Sequence, residues 1–527
     1  MTITSYADSA LSILPPTIAI VLAILTRKVL VSLGVGILVG VLLLNQWSII
    51  DSGSYLAQKV SGLFWNAGTE HFWQGGSANS WNLYVLGFLI LLGMITALIT
   101  ASGAARAFAE WGKQHIRKRR DAKMLTMFLG VAIFIDDYFN SLVVGSISRP
   151  LTDRYYISRA KLAYLLDSTA APVCVISPVS SWGAYIIALI GGILATHGID
   201  DIGHLAAFVE MVPMNFYAIF ALLLLFMVAY FELDIGPMKQ HEQAARRGQL
   251  YDESKGNPPG AAVELNEADG GKVRGLFLPI GVLVGATIYF MLSSGANALA
   301  EKALPFSWIG AFEQTDVASS LFFGACAGLL MTLLLAFMQR LPLSNIGQAL
   351  WVGAKSMLPA IYILLFAWTI SGVIGALETG KYMASLASGN IPFALLPAAL
   401  FILAGLTAFA TGTSWGTFGI MLPIAADMAM GSHASMLLPM MAAVLSGSVF
   451  GDHCSPISDT TILSSTGASC HHIDHVMTQL PYALVVALLS VLGYLVMGFT
   501  NSVAAGLATC SVVFIVALFW LRARARR

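Results

Sequence analysis

Apolar residues recur in long runs along most of the chain, and about 20 such residues carry an α-helix across a hydrocarbon layer. Eleven runs predict membrane-spanning helices, at 12–26, 29–44, 83–105, 162–195, 213–231, 275–293, 317–338, 351–376, 438–465, 480–500 and 503–522. Two further apolar stretches, 124–148 and 393–430, are interrupted by polar or glycine-rich centres, FIDDYFNSL and ATGTSWGTFG. Irregular backbone at membrane depth is tolerated only inside protein or along a cavity, so both read as re-entrant hairpins. The predicted fold class is an all-α integral membrane protein with about eleven transmembrane helices and two re-entrant hairpins.

The longest polar stretch, 232–274, reads as a cytoplasmic linker between a first unit, 1–231, and a second, 275–500. Residues 501–527 then form an extra helix with a basic tail. The units share a signal: Ser-Pro-Val-Ser at 177–180 and Ser-Pro-Ile-Ser at 455–458 stand 278 residues apart. Ser168 meets Ser446 at the same offset, and Gly103 meets Gly380 at one less. The predicted path runs inward at Gly103 and outward at Gly380, so the units are expected to be inverted-topology repeats. Such repeats carry their sites near the bilayer midplane on discontinuous helices. The two Ser-Pro segments are the expected breaks, because proline removes a helix hydrogen bond and serine can satisfy what is left open.

Composition agrees with a lipid solvent, the 527 residues being 57% hydrophobic and 11% charged. Lys+Arg and Asp+Glu balance at 28 each, which leaves no basic excess for nucleic acid. Placing the C-terminal RARARR in the cytoplasm puts 25 of the 28 basic residues on that side, all but Lys59, Lys302 and Lys381. Cys174, Cys326, Cys454, Cys470 and Cys510 are scattered and offer neither a disulfide framework nor zinc spacing. The N-terminus has no positive n-region or cleavage site and is expected to stay on the protein. The setting that follows is the inner membrane of a bacterium, multi-pass, with the C-terminus cytoplasmic.

Ionisable groups at membrane depth are costly and each is a functional candidate. Asp136 and Asp137 stand at the tip of the first hairpin with Asn140 and Ser141, an oxygen-rich group suited to a hard cation such as sodium. Two adjacent carboxylates repel, so one is expected to take up a proton readily and the pair to hold either sodium or a proton. The structural alternative is a helix cap. A second group, GDHCSPISDTTI at 451–462, offers Asp452, His453, Ser455, Ser458, Asp459, Thr460 and Thr461. Some of these hydroxyls, Ser455 and Thr461 above all, have an equal reading as partners of broken backbone. In the second hairpin Thr411, Thr413, Ser414 and Thr417 offer neutral oxygens beside Gly412 and Gly416. Ser177, Ser180 and Ser181 do so at the first break, and Trp182 and Trp415 are candidates to line a substrate pocket or to pack. The expected sodium ligands are Asp136, Asp137, Asp452 and Asp459. Asp167, placed in a turn before the first break, reads equally as ligand or cap. Cys470, His471, His472, Asp474 and His475 read as a solvated loop rather than a metal site, and Lys355 and Glu378 as snorkelling ends of one span.

At FIDDYFNSL, 134–142, at GTSWGT, 412–417, and above all at GDHCSPISDTTILSSTGA, 451–468, the chain resembles the NhaC-type sodium/proton antiporter family. The resemblance implies two inverted repeats with re-entrant hairpins, a homodimer in lipid, and an elevator-like displacement of a transport part against a scaffold. It implies sodium ions and protons as the exchanged species, with no cofactor. It leaves open a second transport reading, sodium-coupled movement of a small amino acid or organic acid of the methionine, tyrosine or malate/lactate type. A channel fits paired acids and repeats less well than alternating access does. An intramembrane enzyme would need a nucleophile and base in one cavity, and His453 beside Cys454 is only a sequence neighbour.

Overall fold

The computed structural model describes residues 5–26, 28–66, 76–116, 118–134, 136–178, 180–199, 202–260, 268–385, 391–430 and 434–526. Ile135, Val179 and residues 261–267 of the predicted linker lie outside them. Helix dominates throughout, as it must where backbone groups have no water to bond. The chain opens with α1 (Leu14–Thr26), α2 (Val29–Leu44) and α3 (Ile49–Gly62), the last turned 120° from α2. A two-residue strand pair, Trp65–Asn66 with Ser77–Ala78, leads into α4 (Ser80–Ala101) and α5 (Ala104–His115). The first hairpin is α6 (Arg119–Ala132) with α7 (Asp137–Arg154). The first broken helix is α8 (Arg159–Ile176) with α9 (Ser181–Thr196), bent by 42°. Then follow α10 (His204–Met211), α11 (Phe216–Phe231) and α12 (Gly236–Arg246).

The second unit begins with α13 (Arg274–Glu301), α14 (Trp308–Glu313), α15 (Val317–Met338), α16 (Leu343–Ala376) and α17 (Thr379–Ser385). The second hairpin is α18 (Leu396–Thr411) with α19 (Ser414–Met430), joined through Gly412 at φ +71°, a left-handed turn that glycine adopts without a Cβ clash. The second broken helix is α20 (Leu437–Cys454) with α21 (Asp459–Gly467), followed by α22 (His472–Thr500) and α23 (Val503–Arg526). Among the described residues nine helices are long and apolar enough to cross a membrane, or up to 11 if each bent pair is one span.

Both predicted breaks are present, splitting 162–195 after Ile176 and 438–465 after Cys454. Several boundaries differ, α13 for one running on to Glu301 rather than ending at 293. The apolar helix near the N-terminus is short, with Pro15 and Pro16 in its first turn. Helix α16 starts at Leu343 rather than 351, and α22 at His472 rather than 480. The α22 extension corrects the solvated-loop reading of 470–475: His472, Asp474 and His475 belong to the first turn of the helix, and His475 is wholly buried. Their polarity suggested solvent; their partners lie inside the protein.

Two hydrophobic cores organise the helices. The larger unites α8, α9, α11, α18, α19, α20 and α22 around Trp182, Phe216, Tyr217, Phe401 and Tyr494. The second unites α4, α13, α15 and α16 around Phe88, Leu283, Leu321 and Leu364, and takes in one side of α7. Within it α4 and α16 cross at Gly93 and Gly353, where a Cβ on either would meet the other's carbonyl oxygen at 2.4 Å. The first part of the predicted linker, 232–242, is anchored by ion pairs. Lys161 pairs with Asp234 at 2.7 Å, Lys123 with Glu232 at 2.9 Å and Arg119 with Glu242 at 2.9 Å.

Candidate functional site

The two breaks are built alike. In the first, the Ser177 N–H donates to the Cys174 carbonyl and the Ser180 N–H to the Ser177 carbonyl, both at 3.3 Å. In the second, the Ser455 N–H donates to the Asp452 carbonyl at 3.1 Å and the Ser458 N–H to the Ser455 carbonyl at 3.3 Å. Ser180 then caps α9 by accepting from the Gly183 N–H, and Ser458 caps α21 by accepting from the Thr461 N–H. Each proline thus leaves a short gap that its following serine closes.

The first hairpin and the second break bring three carboxylates to one cavity of about 270 Å³. Asp136, Asp137, Tyr138, Thr413, Trp415 and Asp459 line it. The lining is completed by Trp81 and Val85 of α4, Val317, Ala318 and Leu321 of α15, and Trp368 of α16. Asp136 Oδ2 accepts the Ser181 hydroxyl at 2.8 Å, and Asp137 Oδ1 accepts Trp182 Nε1–H at 2.8 Å. Asp137 Oδ2 is buried and has no hydrogen-bond partner among the described residues. Tyr138 donates its hydroxyl to Asp459, whose other oxygen accepts the Thr460 N–H at 2.9 Å. Asp137 and Asp459 each begin a helix, where the N-terminal dipole favours negative charge. The capping of α21 itself falls to Ser458, so Asp459 keeps its carboxylate for the cavity.

The remaining predicted residues stand behind this layer. Asp452 is wholly buried, its carboxylate accepting the Ser458 hydroxyl at 2.7 Å and the Thr460 hydroxyl at 3.0 Å. It is not among the residues lining the cavity, so three of the four acids expected as sodium ligands line one cavity and the fourth lies behind it. His453 is buried with Nδ1 at 3.1 Å from the Tyr217 hydroxyl. Asn140 holds the hairpin closed, donating to the Gly130 carbonyl at 2.5 Å and the Ile133 carbonyl at 2.7 Å. Ser141 meets Ser464 at 2.9 Å, joining α7 to α21, and Ser455 donates to the Phe409 carbonyl at 2.8 Å, joining the second break to α18. Thr411 and Thr417 both donate to the Thr413 carbonyl, and Ser414 to the Ser448 carbonyl, so these hydroxyls satisfy backbone. Trp182 is wholly buried and positions Asp137, while Trp415 faces the cavity with Trp182 edge-on at 6.1 Å. Lys355 is exposed on α16, and Glu378 bonds Lys381 and Ser5.

Asp167 lies inside α8, not in a turn, and forms the centre of a second buried network. It accepts from Thr461 at 3.4 Å, Ser464 at 3.1 Å and Gln479 Nε2 at 2.6 Å, with His475 Nε2 at 3.2 Å. His472 Nε2 lies 2.8 Å from the Pro456 carbonyl, so the histidine tract braces the second break. Tyr138, Trp81 and Trp368 were not singled out by the sequence. Tyr138 carried a signal, standing beside Asp137 in a polar hairpin tip; the tryptophans sit in ordinary apolar runs and carried none.

The model of a family described as the Na+/H+ antiporter family matches residues 173–499. A protein of Haemophilus influenzae is 50% identical over 527 residues, covering 99% of this chain and 98% of that one. The malate-2H(+)/Na(+)-lactate antiporter of Bacillus subtilis is 30% identical over 159 residues, 29% of this chain and 33% of its own length. A Na(+)/H(+) antiporter of Haemophilus influenzae is 34% identical over 156 residues, 28% of this chain and 31% of that one. The solved MtrF of Neisseria gonorrhoeae aligns over 86% of this chain and 85% of its own, at 12% identity and a TM-score of 0.36. The family match spans both the first break and the second hairpin and broken helix, and the chain is a member of the Na+/H+ antiporter family, a multi-pass secondary transporter.

Proposed function

We propose that this transporter exchanges sodium ions for protons at Asp136, Asp137 and Asp459. The observation that supports it best is the convergence of three carboxylates, from one hairpin and one broken helix, on a cavity lined by no lysine, arginine or histidine among the described residues. Like charges gathered away from water repel strongly, and only a cation or a bound proton relieves them. Each relief excludes the other, which is the logic of antiport. Carboxylate, hydroxyl and carbonyl oxygens suit a hard cation, and Tyr138 and Thr413 add neutral oxygen beside the acids. Asp452, held by Ser458 and Thr460, acts in this reading as a support behind Asp459 rather than as a direct ligand.

The like construction of the two breaks supports the division into inverted repeats, 1–231 and 275–500, around the linker 232–274. The shared lining of the cavity supports an elevator-like movement, in which the part bearing the acids shifts against the scaffold of α4, α13, α15 and α16. The cytoplasmic C-terminus, the bacterial inner membrane and a homodimer complete the proposal. The organic-acid reading is weakened by the same lining: an anion there would face carboxylates with no cationic side chain to hold it.

The test is proton flux in liposomes containing the purified protein. Addition of sodium under an imposed pH gradient should move protons with no organic solute present. Flux that appears only when an amino or hydroxy acid is added would replace this reading with the sodium-coupled one.

A further inference from the structure

A separate cavity, of about 170 Å³, lies where the end of α4, the end of α15 and the start of α13 meet the last residues of the predicted linker. Its polar floor is already bonded. The Ser102 hydroxyl donates to the Ile99 carbonyl at 2.7 Å, the Thr332 hydroxyl to the Gly328 carbonyl at 2.7 Å, and Gln339 Nε2 to the Ser102 carbonyl at 2.9 Å. Lys272 and Arg274 share the lining and are not engaged: no hydrogen bond or ion pair holds either side chain among the described residues. No Asp or Glu lines the cavity. Asp269, close by in sequence, pairs with Arg106 at 3.3 Å, and Lys255 earlier in the linker has Asp474 at 2.7 Å.

Helix α13 starts at Arg274 with no acidic residue in its first turn and no side-chain cap, so its dipole adds positive potential where two cations already stand. Beyond Arg274 the exposed face of α13 continues through Leu278, Gly281, Gly285 and Tyr289 at helical spacing. A Cβ at either glycine would meet nothing within 4 Å, which leaves a shallow track along the helix. Met338 lines the cavity and is 67% exposed, and the exposed surface of α15 continues from it through Leu334 and Leu330.

A cationic recess at the head of an apolar track has the shape of a phospholipid. We propose that this cavity binds one anionic membrane phospholipid, its phosphate between Lys272 and Arg274 and an acyl chain along the α13 track. Arginine matches paired phosphate oxygens and lysine adds a point charge. The volume, about that of five or six waters at roughly 30 Å³ each, suits a single phosphate group. A zwitterionic headgroup brings its own cation and would gain little from the two side chains. Bound there, the lipid would fasten the end of the linker to the scaffold, well apart from the carboxylates.

The experiment titrates the purified full-length protein in detergent with phosphatidylglycerol, phosphatidylcholine or sn-glycerol 3-phosphate and counts bound lipid by native mass spectrometry. The expected result is one phosphatidylglycerol retained, phosphatidylcholine not retained, and no displacement by glycerol phosphate. Lys272→Gln combined with Arg274→Gln should weaken retention about thirtyfold, at about fivefold for each cation near a membrane surface. Neither side chain has a bond to lose, so this variant should fold. Arg522→Gln combined with Arg524→Gln removes the same charge from the exposed tail and should leave retention unchanged. Equal retention of both lipids, or equal loss in the two double variants, would mean unspecific attraction and overturns the site. Displacement by glycerol phosphate reassigns the cavity to a soluble phosphate and overturns the lipid. Full retention in the Lys272→Gln, Arg274→Gln protein overturns the two residues as its holders.

Discussion

The Tyr138 hydroxyl donates to the Asp459 carboxylate across 321 residues of sequence, tying the tip of the first hairpin to the start of the second broken helix. A hydrogen bond to a charged group contributes about 1.5–3 kcal/mol, so this one helps decide where Asp459 stands. Tyr138→Phe keeps the ring and deletes the bond. It should weaken apparent sodium affinity by about tenfold or more while the purified protein keeps its thermal midpoint to within a few degrees. An unchanged sodium titration would remove Tyr138 from the site.

Asp137→Asn preserves shape and removes the charge whose second oxygen has no hydrogen-bond partner among the described residues. Coupled proton flux should be abolished, with membrane insertion and elution volume as in the wild type. Normal sodium-dependent flux in this variant would take Asp137 out of the mechanism.

Asn140→Ala tests the opposite expectation for a neighbouring residue. Its side chain closes the hairpin through the buried Gly130 carbonyl and the part-buried Ile133 carbonyl, and leaving the buried one unpaired costs about 1–3 kcal/mol. The loss should appear first as a lowered melting temperature and reduced folded yield. A variant as stable as the wild type, with a specific loss of sodium affinity, would return Asn140 to the ligands.

Competition for the same negative charge fixes the sign of the pH dependence. As pH falls, protons occupy the carboxylates that sodium needs, so apparent sodium affinity should fall by up to about tenfold per pH unit when one proton competes. Sodium titrations from about pH 6 to 9 measure this. A flat profile would mean that the two ions do not share a site.

Gly93→Val tests the scaffold. A Cβ there meets the Gly353 carbonyl at 2.4 Å, and overpacked cores lose about 1–3 kcal/mol or more. Thermal unfolding should begin markedly lower, whereas the same change at Gly281, where a Cβ meets nothing within 4 Å, should be mild.

Much of this architecture was legible because lipid leaves few choices. Runs of apolar residues marked the helices, and the Ser-Pro segments marked both breaks because proline cannot continue a helix bond. Asp136, Asp137 and Asp459 were found as acids with no structural reason to sit in apolar sequence. What escaped depended on partners far along the chain. Asn140 and Ser414 look like ligands until the carbonyls they satisfy come into place. The histidine tract looked solvated because its partners, Asp167 in α8 and the Pro456 carbonyl in the second break, lie elsewhere along the chain. Trp81 and Trp368 become cavity walls only through the packing of α4 and α16 beside α7.

The carboxylates in the cavity come from the start of α21, the start of α7 and the turn before it, whereas α4, α15 and α16 contribute Trp81, Val85, Val317, Ala318, Leu321 and Trp368. The aliphatic side chains among these offer no bond to grip the cargo and no polar group to comfort a naked charge. Under the proposed elevator movement, a bare anionic site carried past them would lose hydration without compensation, and a neutralised one would not. In that movement this apolar wall would act as a ticket barrier, slowing the empty carrier more than the loaded one and so coupling the two ions without a dedicated gate.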